Sequence, residues 1–255
     1  MKISILTLFP ETIKAVFSES IIKRAIDKQL VEIEIINIRD FAIDSYGSVD
    51  DKPYGGGAGM VMRVDVVAKA LEKATRIIDQ KVNLARTIIT TPKGTVFNQS
   101  LAEQYSKLNH LIIVCGHYEG IDERVSDLVD NEISLGDFVM TGGEITATAI
   151  VDSVIRLIPE VIKKDSPEDE SFSNVSLTSL KEAVGEDDFI RSLEKSNITS
   201  IRLLEYPHYT RPEEYNGIKV PAVLLSGNHR EIEKWRIRMA YEETKKRRPD
   251  LLIIK

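Results

Sequence analysis

Over the first 115 residues, short apolar runs alternate with stretches whose apolar residues recur at helical spacing, and no other feature constrains the fold as strongly. Ile3, Ile5, Leu6 and Leu8 form one run, ending at Phe9-Pro10 as a central strand that leads into a turn. Residues 31–38 alternate well enough for a second strand, and Ile88-Ile89 and Leu111 to Val114 read as buried strands. Helical spacing covers Glu11 to Gln29, then about 64–79, about 98–108, and Glu144 to Leu157. Strands that alternate with helices imply an α/β domain with a mainly parallel sheet. The expected class is therefore α/β, with the first domain running to about Ile162.

Composition shifts after that point. From Glu160 to Phe189 there are nine acidic residues and three lysines, a net of −6, with frequent serine and weak apolar periodicity. A linker or a poorly packed insertion is expected there. Beyond Leu203 order returns, with Val223 to Leu225 extended and a helix from about His229 to Lys246. Eight cations (Arg230, Lys234, Arg236, Arg238, Lys245, Lys246, Arg247, Arg248) face four glutamates (231, 233, 242, 243) on and just after that helix, a net of +4. The chain's overall charge of −6 thus hides a basic C-terminal lobe, and a nucleic-acid partner stays open. Cys115 is alone, so neither an internal disulfide nor a cysteine-based zinc cluster can form, and a reducing cytoplasm fits best. No apolar run approaches the ~20 residues that span a bilayer. No small-residue cleavage site follows an apolar core near Met1, so neither a membrane nor a secretory leader is expected.

Three segments hold more glycine and unusual side chains than packing requires. Asp50 to Met60 places four glycines in five positions (Gly55, Gly56, Gly57, Gly59), which permits positive φ and close approach. It lacks the Gly-Lys-Ser/Thr ending of a phosphate-cradling loop, and it reads otherwise as a flexible surface loop. Cys115 to Arg124 follows a buried strand, where ligands of open α/β sheets gather. There Gly116 exposes backbone and Glu119 aims a carboxylate at the crevice, while Asp122, Glu123 and Arg124 read as the start of a solvated helix and His117 as a supporting residue. Ser134 to Glu144 is a glycine-punctuated loop opening a helix, suited to binding a purine edge through backbone groups or serving as a plain connector. Near that helix's end Arg156 interrupts an apolar stretch and needs an anionic partner or water.

Together these segments resemble the bacterial tRNA (guanine-N1)-methyltransferases of the SPOUT, or trefoil-knot, class. The glycine loop, Cys115 to Arg124, Leu135 to Glu144, Tyr206 to Pro212 and Val220 to Arg230 match in order. The likeness covers residues 1–174 and about 203–240. By contrast, the glycine-rich turn of the familiar methyltransferase arrangement is absent, since Phe9-Pro10-Glu11 follows the first strand. The resemblance implies a deep trefoil knot in the parallel sheet, a small mainly helical C-terminal domain, and a homodimer with tRNA held by both subunits. It divides the chain into a cofactor domain (1–162), an acidic linker with an insertion (163–202) and a tRNA-binding domain (203–255).

The activity implied is methyl transfer from S-adenosylmethionine to N1 of the guanosine 3′ of the anticodon. Cofactor contacts would come from Thr91, Pro92, Gly116, Tyr118, Leu135, Gly136, Asp137, Phe138, Val139, Met140, Gly142 and Gly143. Glu119 would lie near the methionine end, and some family members also need magnesium; no dedicated metal ligands are expected. Arg156 would sit at guanine O6, and the base that removes the N1 proton would come from the acids before Ser171-Phe172. That base is Glu170, or Asp169 after a one-residue shift. Arg236, Arg238, His208 and Arg211 are the RNA contacts expected in the C-terminal domain. This chain departs from the family in having Glu170 where aspartate is usual. It also carries roughly 28 extra residues, about Val175 to Arg202, expected as a disordered extension. A SPOUT ribose 2′-O-methyltransferase and a non-catalytic RNA-binding protein are the alternatives. The Tyr206 to Pro212 segment and Asp169-Glu170 favour the base-methylating branch over the first, and the retained loops with Arg156 and Glu119 argue against the second.

Overall fold

The computed structural model describes residues 1–76, 84–162 and 170–253. The chain divides into two compact units, Met1–Ile162 and Lys163–Lys255. In the first, β1 (Lys2–Thr7) is followed by α1 (Pro10–Phe17), α2 (Ser20–Asp27) and β2 (Glu32–Asn37). Pro10 starts α1 at the position where a missing N–H costs nothing. The single helix read over residues 11–29 is in fact two. Ser18 ends the first by capping the Ala15 carbonyl with both its N–H and its hydroxyl, and Ser20 turns the chain at φ 59°.

Next come a two-strand clip, β3 (Asp50–Asp51) with β4 (Val61–Met62), and α3 (Val64–Thr75). Then follow β5 (Ala85–Val96), α4 (Gln99–Tyr105), β6 (His110–Cys115), β7 (Asn131–Ser134) and α5 (Glu144–Ile155). Five strands form one sheet in the order β2-β1-β6-β5-β7, and every neighbouring pair is parallel. Side chains alternate between its faces. Ile3, Ile5, Ile88, Leu111 and Ile113 pack with α1, α2 and α5, whereas Leu6, Ile36, Ile89, Ile112 and Val114 pack with α3. β7 has no counterpart in the sequence reading. It has four residues, and only Ile133 and Ser134 are buried, too few for a periodic pattern.

At the sheet's N-terminal edge, Ser4 Oγ lies 2.9 Å from His110 Nε2 and also donates to Glu34, 3.4 Å away. Burial, reinforced by the nearby Lys2 ammonium, holds the His110 pKa below its ordinary value of 6.5. The folded chain therefore binds this proton less readily than the unfolded one. The resulting stability is full above pH 6.5 and is lost as pH falls through the depressed folded value. Urea midpoints measured from pH 7.5 to 5.5 should fall, and His110→Gln should flatten that dependence; an equally steep fall in the variant would exclude His110 as its source.

The second unit contains β8 (Ser173–Ser176), α6 (Leu177–Val184), α7 (Asp188–Lys195), β9 (Ser200–Leu203), the hairpin β10 (Glu214–Tyr215) and β11 (Ile218–Lys219), α8 (Ala222–Leu225) and α9 (His229–Arg247). Val223 to Leu225, read as extended, are thus helical, started by Pro221. The larger correction concerns residues 175–202, expected as a disordered extension of an acidic linker. β8 pairs antiparallel with β9, and Leu180, Ile190 and Leu193 form one buried cluster with Ala240 and Tyr241 of α9. Each helix here has only eight residues, so its apolar stripe is two or three side chains, easily lost among the acids. The acids also have structural work. Asp187 caps α7 by accepting from the Ile190 N–H and accepts from the Tyr241 hydroxyl at 2.7 Å. Although burial alone would raise its pKa, those hydrogen bonds hold it below the ordinary value. Unit two therefore builds its core from residues on both sides of Leu203.

Candidate active site

The first unit's cavity lies at the carboxyl ends of β5, β6 and β7. The chain from β6 to β7 crosses β5, so the connections diverge where open α/β sheets hold ligands. β5 pairs with β7 on both sides of a bulge, with Ile133 opposite both Thr90 and Thr95, which turns Thr91 to Gly94 out of the ladder. Loops after β6 and β7 supply the other walls, and the cavity measures about 450 Å³, within the usual range for small-molecule sites.

Short bonds lock the three walls together. The Gly143 N–H donates to the Gly116 carbonyl at 2.7 Å, His117 bridges Gly142, and Gly116 N–H donates to Thr90 Oγ1 at 3.1 Å. Side-chain volume is what this crossing cannot accept: a Cβ on Gly143 would overlap Thr90 Oγ1 and lie 2.8 Å from the Gly116 nitrogen. Beneath it, Thr7 donates to the buried Glu144 carboxylate at 2.8 Å, anchoring the start of α5 to the end of β1. His117 is wedged between the Phe9 and Tyr118 rings. Complete burial, with Glu144 nearby, pushes the Cys115 thiol well above its ordinary pKa, so it is no nucleophile.

Of the expected cofactor contacts, Thr91, Pro92, Gly116, Tyr118, Leu135, Gly136, Phe138, Val139, Met140, Gly142 and Gly143 line this one cavity, as does Glu119. Asp137 is exposed and outside its wall. The glycine loop, Asp50 to Met60, contributes differently. It is clipped to the second loop by Glu119 N–H to Met60 O (3.1 Å) and Met62 N–H to Gly120 O (3.0 Å). Gly59, at φ 78°, lies so close under Glu119 that a Cβ would overlap that side chain. Asp122 caps the 3-10 helix Glu123–Leu128 and pairs with Arg124 at 2.7 Å, as a solvated helix start requires. The sequence reading missed the wall's acidic character. Glu119, Asp122, Glu123 and Glu132 line it against a single Lys93, which pairs with Glu123. Three of those acids sit within one loop, and the pairing of β7 with β5 brings Glu132 to the same wall.

Arg156 does not line this cavity. It caps the far end of α5, about 20 Å from Gly143 at 1.5 Å rise per residue. In the second unit Glu170 and Arg236 line one cavity of about 700 Å³, while Asp169 lies outside the described residues. The guanidinium of Arg236 stacks over Tyr206 at 4.9 Å, and Arg238 Nε donates to the Ala183 carbonyl at 2.9 Å. His208 lies 3.6 Å from Glu205, and Arg211 is exposed. The basic helix is therefore less free than its charge suggests. Lys234 pairs with Glu231, Arg247 with Glu243 and Arg248 with Asp250, and Lys245 covers the Tyr241 ring.

The family model for tRNA (Guanine-1)-methyltransferase TrmD matches residues 1–183 and 180–253, and its two stretches meet inside α6. A tRNA (guanine-N(1)-)-methyltransferase of Carboxydothermus hydrogenoformans is 47% identical, aligned over all of this chain and 88% of its own. Those of Mycoplasma capricolum (46% identical; all of this chain, 92% of its own) and Geotalea uraniireducens (48%; 99% and 90%) are similarly related.

Proposed function

The chain belongs to the tRNA (guanine-1)-methyltransferase family, and on that premise we propose that it transfers the methyl group of S-adenosylmethionine to N1 of the guanosine 3′ of the anticodon. The observation that carries this reading is the acidic cavity built by three backbone-lined loops. Asp122 and Glu123 pair with Arg124 and Lys93, and the remaining Glu119 and Glu132 keep the wall acidic, which disfavours a polyphosphate ligand, whereas S-adenosylmethionine presents a sulfonium and an ammonium. Backbone groups of Leu135 to Met140 and the hydroxyl of Thr91 suit an adenine edge and a ribose. The residues present thus fit the cofactor, which when bound supplies an electrophilic methyl group. Glu119, whose side chain occupies the room left by Gly59, is suited to its ammonium end.

The remaining chemistry falls to the chain's side chains. Guanine N1 carries a proton and attacks poorly until a base removes it. Glu170, or Asp169 beside it, is that base in this reading, and Arg156 stabilises the charge that develops on O6. The length of α5 separates Arg156 from the loop at the helix's own start. We infer that Arg156 serves the cavity of a second copy, so the active form is a homodimer; sedimentation should give a mass near twice 28.7 kDa. A sedimenting monomer with full activity would refute it.

The return of the chain at Gly142-Gly143 against Gly116, after β6 to β7 has crossed β5, supports the deep trefoil knot. Among the described residues no group of three or more acidic, histidine or cysteine side chains is gathered for an ion, so no step is assigned to magnesium. Among them, too, no helix is long and apolar enough to cross a membrane. A tRNA substrate and a lone buried thiol support a cytoplasmic setting. The test is to react the protein with tRNA and methyl-labelled cofactor and map the labelled nucleoside. Label in 1-methylguanosine 3′ of the anticodon is expected. Label on a ribose oxygen, or none, would overturn the assignment.

A further inference from the structure

We propose that the turn containing Tyr206 and Tyr209, with the outward side of α9, forms an aromatic platform around Trp235 on which an unpaired nucleotide of the RNA stacks. This rests on the reading of tRNA as substrate, and it adds which surface meets a single-stranded part of it. Trp235 is the only tryptophan of the chain. Its ring centroid lies 6.5 Å from that of Tyr206 at 66° and 6.3 Å from that of Tyr209 at 56°. The His208 ring approaches Tyr206 to 4.7 Å.

Tyr206 packs in part against the core of the unit, whereas Trp235 and Tyr209 do not belong to that core. α9 buries Ala240, Tyr241 and Thr244, with Ile237 partly buried beside them. At 3.6 residues per turn, Trp235 and Met239 fall on the opposite side. Both are half-buried, and Tyr209 is 46% exposed. Aromatic groups stay on an outward surface at a cost in solvation unless something covers them. Two exposed cations accompany them, Arg211 in the same turn and Lys246 on the same stripe of α9. Among the described residues neither has an acidic partner. Few free cations and several aromatic rings suit an unpaired base with its flanking phosphates, rather than a duplex, which needs a broad cationic stripe.

The single tryptophan makes the test direct. Emission from Trp235 in the full chain is followed while an anticodon stem-loop RNA, or a fully paired RNA of equal length, is added. The stem-loop should quench emission and the duplex should not. Tyr209→Leu should weaken stem-loop binding roughly 5- to 100-fold, the usual loss of one base–aromatic stack. Tyr209→Phe should restore it, and both variants should melt with the parent. Unchanged affinity of Tyr209→Leu overturns the platform. So does unresponsive emission while the anisotropy of a labelled RNA reports binding. Emission that shifts with protein concentration alone gives the surface to a second copy and also overturns it. Methylation of intact tRNA by the parent protein is measured alongside. Its absence sinks the methyltransferase reading, whereas its presence with a failed platform test sinks the platform alone.

Discussion

Gly143→Val should weaken S-adenosylmethionine binding by roughly 100-fold or more in titration calorimetry, with far-UV dichroism close to the parent's. The magnitude follows from where the added atoms go. Overpacking a close-packed site costs about 1–3 kcal/mol, and more where backbone must yield. A Cβ at position 143 meets Thr90 Oγ1 and lies 2.8 Å from the Gly116 nitrogen and 3.1 Å from Cys115 Cα. Two of those three neighbours are backbone atoms of the adjoining loop, which cannot rotate away. The variant must therefore part the loops after β6 and β7, and with them the cavity walls. Trimming Thr90 to alanine relieves one clash and leaves the other two, so the double variant should remain impaired. Gly56→Ala is the control. It sits at φ 80° with open space around its missing Cβ, and only local strain should result. Binding by Gly143→Val within about twofold of the parent would remove this crossing from the cofactor site.

The sheet was legible because its strands are buried on both faces: Ile5 beside Leu6, and Ile113 between Ile112 and Val114, cannot be explained by any half-exposed arrangement. The cavity's position was legible for the same reason, since glycine-rich loops directly follow such strands. What the chain concealed depends on contacts between distant residues. Thr7 and Glu144 lie far apart in sequence, and nothing local marks that glutamate as buried. Residues 175–202 show the same limit. Their acids look like those of a solvated linker until Asp187 is seen to hold Tyr241. Charge counting at α9 cannot distinguish Arg238, bonded to the Ala183 carbonyl, from Lys246, which is exposed.

Glu170→Gln should slow single-turnover methylation about 10²- to 10⁴-fold, the usual loss of a general base, and leave cofactor affinity nearly intact. Local structure favours Glu170 over its neighbour. Its carbonyl accepts from the Ser173 N–H at 3.0 Å, and the Phe172 N–H donates to the Leu203 carbonyl at 2.6 Å. Ser171 Oγ accepts from the Glu205 N–H at 3.1 Å. Ser171 and Phe172 are thus tied to Glu205 and Leu203 at the end of β9, the turn to Ser173 holds Glu170 beside them, and a one-residue slip that substitutes Asp169 would break all three bonds. Glutamate in place of aspartate then adds one methylene of reach from a fixed backbone. The amide introduced by Glu170→Gln keeps the shape and cannot accept the N1 proton, so the loss should appear in the chemical step. If that step is proton abstraction, raising pH toward ionisation of N1 itself should partly restore the variant's rate. Asp169→Asn should cost less than about tenfold, since a carboxylate that takes no proton contributes little to the barrier. The reverse order would assign the base to Asp169 and require residues 170–173 to rearrange when tRNA binds. If both variants turn over at the parental rate, the proton leaves by another route, and the carboxylates of this segment have no part in it.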